Sequence, residues 1–287
     1  MTTPIHSVNH VGLAVRDIAD TARRYERMGF VLTPWSAHSG AARPGEPVAR
    51  MGQGNRCVMF GRNYLEILAH EDPAAPSPRI DAFLRRHQGG HIICFGTEDC
   101  AAVDAQLAAA GLKTSGVIPL QRDVDTPEGT RTARFERVQF APDDSPEGYI
   151  QAARHLTPAF IYQPRYTSHP NGCTELADTV LLVDEVERFV ARYRAYTGVV
   201  PSPVEGGARF AFSFSTLTIV DGGGLSRLAP GSLRPPVPAV AAVAFRCPDL
   251  AAQAARLRDN RVPFAEDGER LVVPAEEAAG IAVAFVA

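Results

Sequence analysis

His10-Val-Gly-Leu-Ala-Val-Arg-Asp17 and His91-Ile-Ile-Cys-Phe-Gly-Thr-Glu98 carry the reading of the fold. Both are apolar, strand-like runs that open on a histidine and close on an acid. A helix-like stretch follows each, ending at a glycine–hydrophobe pair, Gly29-Phe30 and Gly111-Leu112. Further on, Tyr64-Leu-Glu-Ile-Leu-Ala-His70 runs against Tyr149-Ile-Gln-Ala-Ala-Arg-His155. The two offsets, 81 and 85 residues, describe one supersecondary unit copied with a short insertion. The pairing singles out His10, Glu66, His91 and Gln151. Two imidazoles, a carboxylate and an amide oxygen suit a divalent ion such as Fe, Mn, Co, Ni or Zn. A lone histidine in an apolar strand is ordinarily a core or edge residue; recurrence at matched positions, each with an oxygen donor in the last strand, argues for a ligand set.

Outward from these runs, the first unit reads as βαβββ. A strand lies around 8–15 and a helix starts from Asp17 or Asp20. A Gly/Pro-rich loop over 36–47 leads to strands near 48–51, 57–60 and 64–68. A short helical piece over 80–86 leads to the second copy. Its strand lies at 91–96, its helix at 101–110 and its later strands near 117–120, 132–140 and 149–153. Beyond a proline-rich connector the pattern returns twice, with strands at 176–183 and 239–245 and helices at 186–196 and 250–259. Aligning Asp17 with Asp184 and Asp249 places Ala177 and Ala242 at the position of His10. Thr218 and Ala284 then fall at that of Glu66, so the last two copies are expected to carry no ligand type. Gly222-Gly-Gly224 reads as a turn and not as a phosphate cradle.

The expected fold is therefore α+β: four βαβββ modules paired into two curved-sheet, cup-like domains. Residues 1–158 form a metal-binding pair, 159–172 a linker and 173–287 a degenerate pair, which is expected to pack against the first cup or to supply a homodimer surface. Chain length of 287 residues and 45% hydrophobic content suit such a globular protein. A net charge of −3 and a single lysine, Lys113, leave no basic footprint for nucleic acid or an anionic membrane. Five scattered cysteines without a CxxC pair read as buried thiols of a cytoplasmic protein.

Other side chains fall near the expected metal. Strand alternation puts His70 on the face of Glu66 and His155 on that of Gln151. Glu66, His70 and His155 are accordingly the candidate acid–base groups. An anionic substrate finds anchors in Arg134 with Glu136, or in Arg131, Arg137 and Gln139 on the opposite face. Trp35 and His38 sit in the loop that would close over the cup, and His169 is expected to shape the linker.

The first strand, Met28-Gly-Phe30 and Tyr64-Leu-Glu66 resemble the first module of the vicinal-oxygen-chelate superfamily, the glyoxalase, bleomycin-resistance and extradiol-dioxygenase group. The connector, His155-Leu-Thr-Pro158 and Ser168-His-Pro-Asn-Gly172, is similar to that of a glyoxalase-like subgroup. The resemblance implies a divalent metal held by the first and last strands of each module, at His10, Glu66, His91 and Gln151. It also implies lyase or isomerase chemistry on a small organic substrate through a metal-stabilised enediolate. An Fe(II) ring-cleaving dioxygenase and a non-catalytic binding or resistance protein are the alternatives. Having one carboxylate is a departure from the usual pattern.

Overall fold

The computed structural model describes residues 3–41, 45–72, 77–141 and 144–287. The first module comprises β1 (Ile5–Ala14), α1 (Ile18–Arg27), β2 (Ser36–Gly40), β3 (Ala49–Met59) and β4 (Tyr64–His70). After α2 (Pro78–Arg86) comes the second: β5 (Gly89–Thr97), α3 (Cys100–Ala109), β6 (Thr114–Thr126), β7 (Gly129–Phe140) and β8 (Tyr149–His155). Two single-turn helices, α4 (Pro158–Ile161) and α5 (Pro164–Thr167), occupy the connector. The third module is β9 (Glu175–Leu182), α6 (Val186–Thr197), β10 (Ser202–Val204), β11 (Gly207–Ala211) and β12 (Thr216–Val220). Then α7 (Gly222–Leu228) leads to the fourth: β13 (Ala239–Arg246), α8 (Leu250–Asp259), β14 (Ala265–Glu266), β15 (Arg270–Val273) and β16 (Ala282–Val286). Four βαβββ units are present, as the repeat implied.

Local chemistry explains the recurrence. Asp17, Asp99 and Asp249 each accept a backbone N–H of the first helical turn, at 2.8, 3.0 and 2.8 Å. Gly29 (φ 88°) follows α1 and Gly198 (φ 70°) caps α6, both in the left-handed conformation that frees the chain to turn back. Two readings change. The 36–47 loop contains β2, whose small residues give no strand signal. Its pairing with β3 and β6 imposes the extended backbone. The three glycines open α7 instead of forming a turn, because Asp221 caps the amide of Gly224 at 2.8 Å.

Strand order explains how the two halves differ. In the first, β1-β4-β3-β2-β6-β7-β8-β5 returns to β1, so eight strands close on themselves. In the second, β12 and β16 flank the β9–β13 pair, and β10 and β14 are short edge strands, paired on one side only, to β11 and β15. The halves share one apolar core. Phe30 of module one lies 4.9 Å from Phe245 and stacks at 5.9 Å on Phe285. Phe95 meets Tyr193 at 6.3 Å between modules two and three. Each such ring contributes about 1.5–3 kcal/mol when fully buried. His169 ties the connector to module one, with its ring nitrogens 3.0 Å from the Val31 amide and 2.8 Å from the Met59 carbonyl. All five cysteines are buried and free. Among the described residues no helix is long and apolar enough to cross a membrane.

Candidate active site

The parallel strand pairs fix which residues are equivalent. His10 pairs with Tyr64 and Gly12 with Glu66 in module one; Ile92 pairs with Tyr149 and Cys94 with Gln151 in module two. Asp178 pairs with Thr216, and Ala242 with Ala282, in the last two. His10, Ile92, Asp178 and Ala242 each stand seven residues before their helix N-cap, at Asp17, Asp99, Glu185 and Asp249. Glu66, Gln151, Thr218 and Ala284 are likewise equivalent. The second-module counterpart of His10 is thus Ile92 and not His91.

One residue of slip moves a side chain to the other face of a strand. His91 lies outside the chamber, stacked between Phe83 (4.7 Å) and His87 (4.2 Å), with Nε2 2.8 Å from the His87 carbonyl oxygen. Burial lowers its pKa to about 3. In module three the slip runs the other way: Asp178, not Ala177, takes the first-strand place. Its carboxylate accepts from Thr216 at 2.6 Å and from Thr218 at 2.9 Å, and lies 3.7 Å from Arg209. A polar residue therefore survives there.

The closed half encloses a chamber of about 60 Å³, lined among others by His10, His38, Tyr64, Glu66, Ile92, Arg122, Gln151 and His155. Glu66 is the centre of its polar wall. Its Oε1 accepts from the Asn55 amide, whose own oxygen accepts from Arg122 Nη1 at 2.5 Å. His38 Nε2 lies 3.6 Å from Oε1, and His10 Nε2 lies 3.9 Å from Oε2. The His10 ring stacks on Tyr64 at 4.4 Å, and its Nδ1 is 2.9 Å from Asn9 Oδ1. An N–H on Nδ1 would leave Nε2 as the lone pair facing Glu66.

Burial sets the charges. It raises the Glu66 pKa, against the opposing pull of Arg122 and the Asn55 bond. It lowers His38 and His155 to about 3, with the Arg122 charge adding to the effect, and holds His10 well below the usual imidazole range. All three imidazoles are neutral near pH 7. Several buried polar atoms in this wall have no hydrogen-bond partner: His38 Nε2, Gln151 Oε1 and both ring nitrogens of His155. Each such atom costs about 1–3 kcal/mol unless something fills the space, so the wall is built for a polar occupant.

Three arginines face this space. Arg122 lies 5.8 Å over Phe135, while Arg79 and Arg137 flank Tyr149 at 4.2 and 5.7 Å. Among the described residues, Glu66 is the one acid in the lining. Sequence reasoning missed Arg122 and Asn55. A longer β6, alternating through Leu120 and Arg122, was the available signal for the arginine. Of the other expected site residues, His38 and His155 reach the chamber. His70 turns to Asp81 on α2, at 3.2 Å. Arg134 is exposed on the opposite face of β7 from Phe135 and Arg137, its amide bonded to Thr157 at 2.9 Å. Trp35, 38% exposed, packs on Gly54 at a separate cleft with Phe160 and Tyr166. Arg137 comes from the alternative face.

The expected four-ligand set does not assemble. His10, Glu66 and Gln151 share the chamber, but Ile92 fills the fourth place and the Arg122 cation shares the wall. The two imidazoles approach different oxygens of Glu66. Among the described residues no group of three or more His, Cys, Asp or Glu side chains is placed to hold a metal ion.

The glyoxalase-like domain family matches residues 8–197. The chain belongs to that family. Its fold is shared with a hypothetical protein from Staphylococcus aureus, 14% identical, with a TM-score of 0.64 over 98% of this chain and 99% of that one. A triple variant of 4-hydroxymandelate synthase from Streptomyces coelicolor, 13% identical, superposes with a TM-score of 0.57 over 99% and 92% of the two chains. The chain also covers 49% of a xylose isomerase-like TIM barrel/4-hydroxyphenylpyruvate dioxygenase fusion protein, at 14% identity and a TM-score of 0.53. At these identities the likeness is one of fold. No curated protein matches the chain. The vicinal-oxygen-chelate resemblance of the sequence thus holds at the level of family and architecture.

Proposed function

We propose that this glyoxalase-like protein is an enzyme that moves a proton on a small organic substrate through an enolate or enediolate, in lyase or isomerase chemistry. The observation that carries this reading is Glu66. It is a buried carboxyl of raised proton affinity, flanked by two neutral imidazoles and joined through Asn55 to the Arg122 guanidinium.

A general base works best when its pKa approaches the operating pH, and burial moves Glu66 in that direction. The carboxylate would take a proton from the carbon beside a substrate carbonyl, and the C–H electrons would pass to the carbonyl oxygen. Arg122 would stabilise that oxygen as its charge develops, a role the family resemblance gave to a metal. Glu66 would return the proton to the neighbouring carbon, or a leaving group would depart from it. His10 and His38, neutral and facing the two carboxyl oxygens, would flank the base without adding a charge that holds its pKa down. His155, on the same wall, would help to orient the substrate.

The test is deuterium exchange from heavy water into a panel of small 2-hydroxy and 2-keto acids. Exchange that disappears in Glu66→Gln supports the reading. Elemental analysis of untagged protein beside His10→Ala/His38→Ala runs alongside. About one metal ion per chain, lost in that variant, would overturn the arginine-based mechanism; iron would favour the dioxygenase alternative. Tight binding of a compound with no exchange or turnover would favour the binding-protein alternative.

A further inference from the structure

The 60 Å³ chamber opens on a wider vestibule of about 630 Å³, and Met51, Arg79, Arg137 and Tyr149 belong to the walls of both. The boundary between them is an aromatic ring with two guanidiniums on it. Arg79 Cζ lies 4.2 Å over the Tyr149 ring, and Arg137 Cζ lies 5.7 Å from its centroid. Arg137 also donates to the Tyr149 hydroxyl and, at 3.5 Å, to the Ala41 carbonyl. Arg137 is 5% exposed and Tyr149 7%, so one of the two cations is held almost dry.

Two like charges against one ring repel each other, and burial weakens the water that would screen them. A cation–π contact returns only about 0.5–2 kcal/mol. α2 is seated on β1 and β4 by its own buried face, Ile80, Phe83 and Leu84, so packing does not explain two cations on the Tyr149 ring. An anion placed between the guanidiniums removes the repulsion and gains charge-assisted hydrogen bonds. Arginine is suited to that task because its planar fork matches both carboxylate and phosphate.

We propose that Arg79 and Arg137 form a subsite for an anionic group, carboxylate or phosphate, at the neck between vestibule and chamber. The substrate class is then a small molecule of two parts. An anionic group sits at the neck, and a reactive carbonyl end enters the chamber beside Glu66 and Arg122. The second half of this statement rests on the proton-transfer reading; the anion subsite itself does not.

Calorimetric titration at low salt with inorganic phosphate, succinate and dimethyl succinate tests it. Phosphate and succinate should bind and the diester should not, with affinity falling as sodium chloride is added. Arg79→Gln and Arg137→Gln should each weaken anion binding tenfold or more. Arg79 lies on α2 and is only half-buried, so its variant keeps the test open should Arg137→Gln fail to fold. Glu66→Gln, which removes a negative charge near Arg79, should bind the anions at least as tightly as the wild type does. No anion binding by the wild type would overturn the subsite, and so would unchanged affinity in Arg79→Gln. A loss confined to Arg122→Gln would place the anion in the inner chamber and overturn it too. Anion binding that follows Arg79 and Arg137, in a protein that exchanges no substrate proton, would uphold the subsite and sink the proton-transfer reading.

Discussion

His38 Nε2 stands 3.6 Å from Glu66 Oε1, buried and without a hydrogen-bond partner of its own. With Gln151 Oε1 and both ring nitrogens of His155, it is one of several polar atoms in this wall left for an occupant to satisfy. Such a wall is costly to maintain.

Glu66→Gln tests the cost and the function together. Glutamine can keep the bond to Asn55 and removes the base. Deuterium exchange should fall by about 10²- to 10⁴-fold. Because the Glu66 pKa is raised by burial, its ionised form disfavours the fold at neutral pH. The variant should therefore melt at the same temperature as the wild type or higher, as active-site substitutions that relieve strain often do.

Stability should fall with acid from about pH 6.5, the free histidine value. His38 and His155 titrate near 3 in the folded chain and His10 well below 6.5. As pH drops towards 3, the unfolded chain takes up protons that the folded one refuses. Each such histidine then removes about 1.4 kcal/mol per pH unit. Glu66 acts in the other direction: its contribution is present at low pH and is lost as pH rises through its folded pKa. Urea unfolding at pH 7.5, 6 and 5 measures the slope. His155→Gln should flatten it by about one histidine's share, and an unchanged slope would show that His155 is not held neutral.

Ile92→His places an imidazole at the position equivalent to His10. The variant should bind Co²⁺ or Zn²⁺ at least tenfold more tightly than the wild type in a metal titration. It should lose about 1–3 kcal/mol of stability, because Ile92 is buried against Ala14, Leu68 and Ile80. No gain in affinity would mean that strand register alone does not define a ligand position in this barrel.

Asp178→Ala in the third module strips partners from Thr216 and Thr218. Thermal unfolding should show a loss of about 1–3 kcal/mol. Asp178→Asn, which keeps an acceptor, should lose less. Anion binding at Arg79 and Arg137 should be unaffected by either.

Much of this fold was legible because its punctuation is local. An aspartate caps the helix in three of the four modules, and apolar strands precede each helix; neither depends on distant contacts. β2 was not legible, since Ser36–Gly40 is extended only because β3 and β6 pair with it. The His91 assignment failed because the repeat was aligned on Glu98 instead of on Asp99, which caps α3. Counting seven back from that cap gives Ile92. Arg122 escaped for a related reason: β6 was ended at Leu120, and the strand continues six residues further through pairing with β7. Placing His10, Glu66, Gln151 and His155 on one wall needed only strand alternation, and alternation is a property of the sequence.

The open edges of the second half have a consequence for motion. Eight strands that close on themselves offer no place from which to fray, so their backbone amides should exchange with solvent only through wholesale opening. β10, with three residues, and β14, with two, terminate the other half as loose selvedges. Hydrogen exchange should therefore advance inward from those two margins towards β9 and β13, while the barrel around Glu66 stays protected. One chain would thus hold a rigid vessel and a pliant one built from the same repeat.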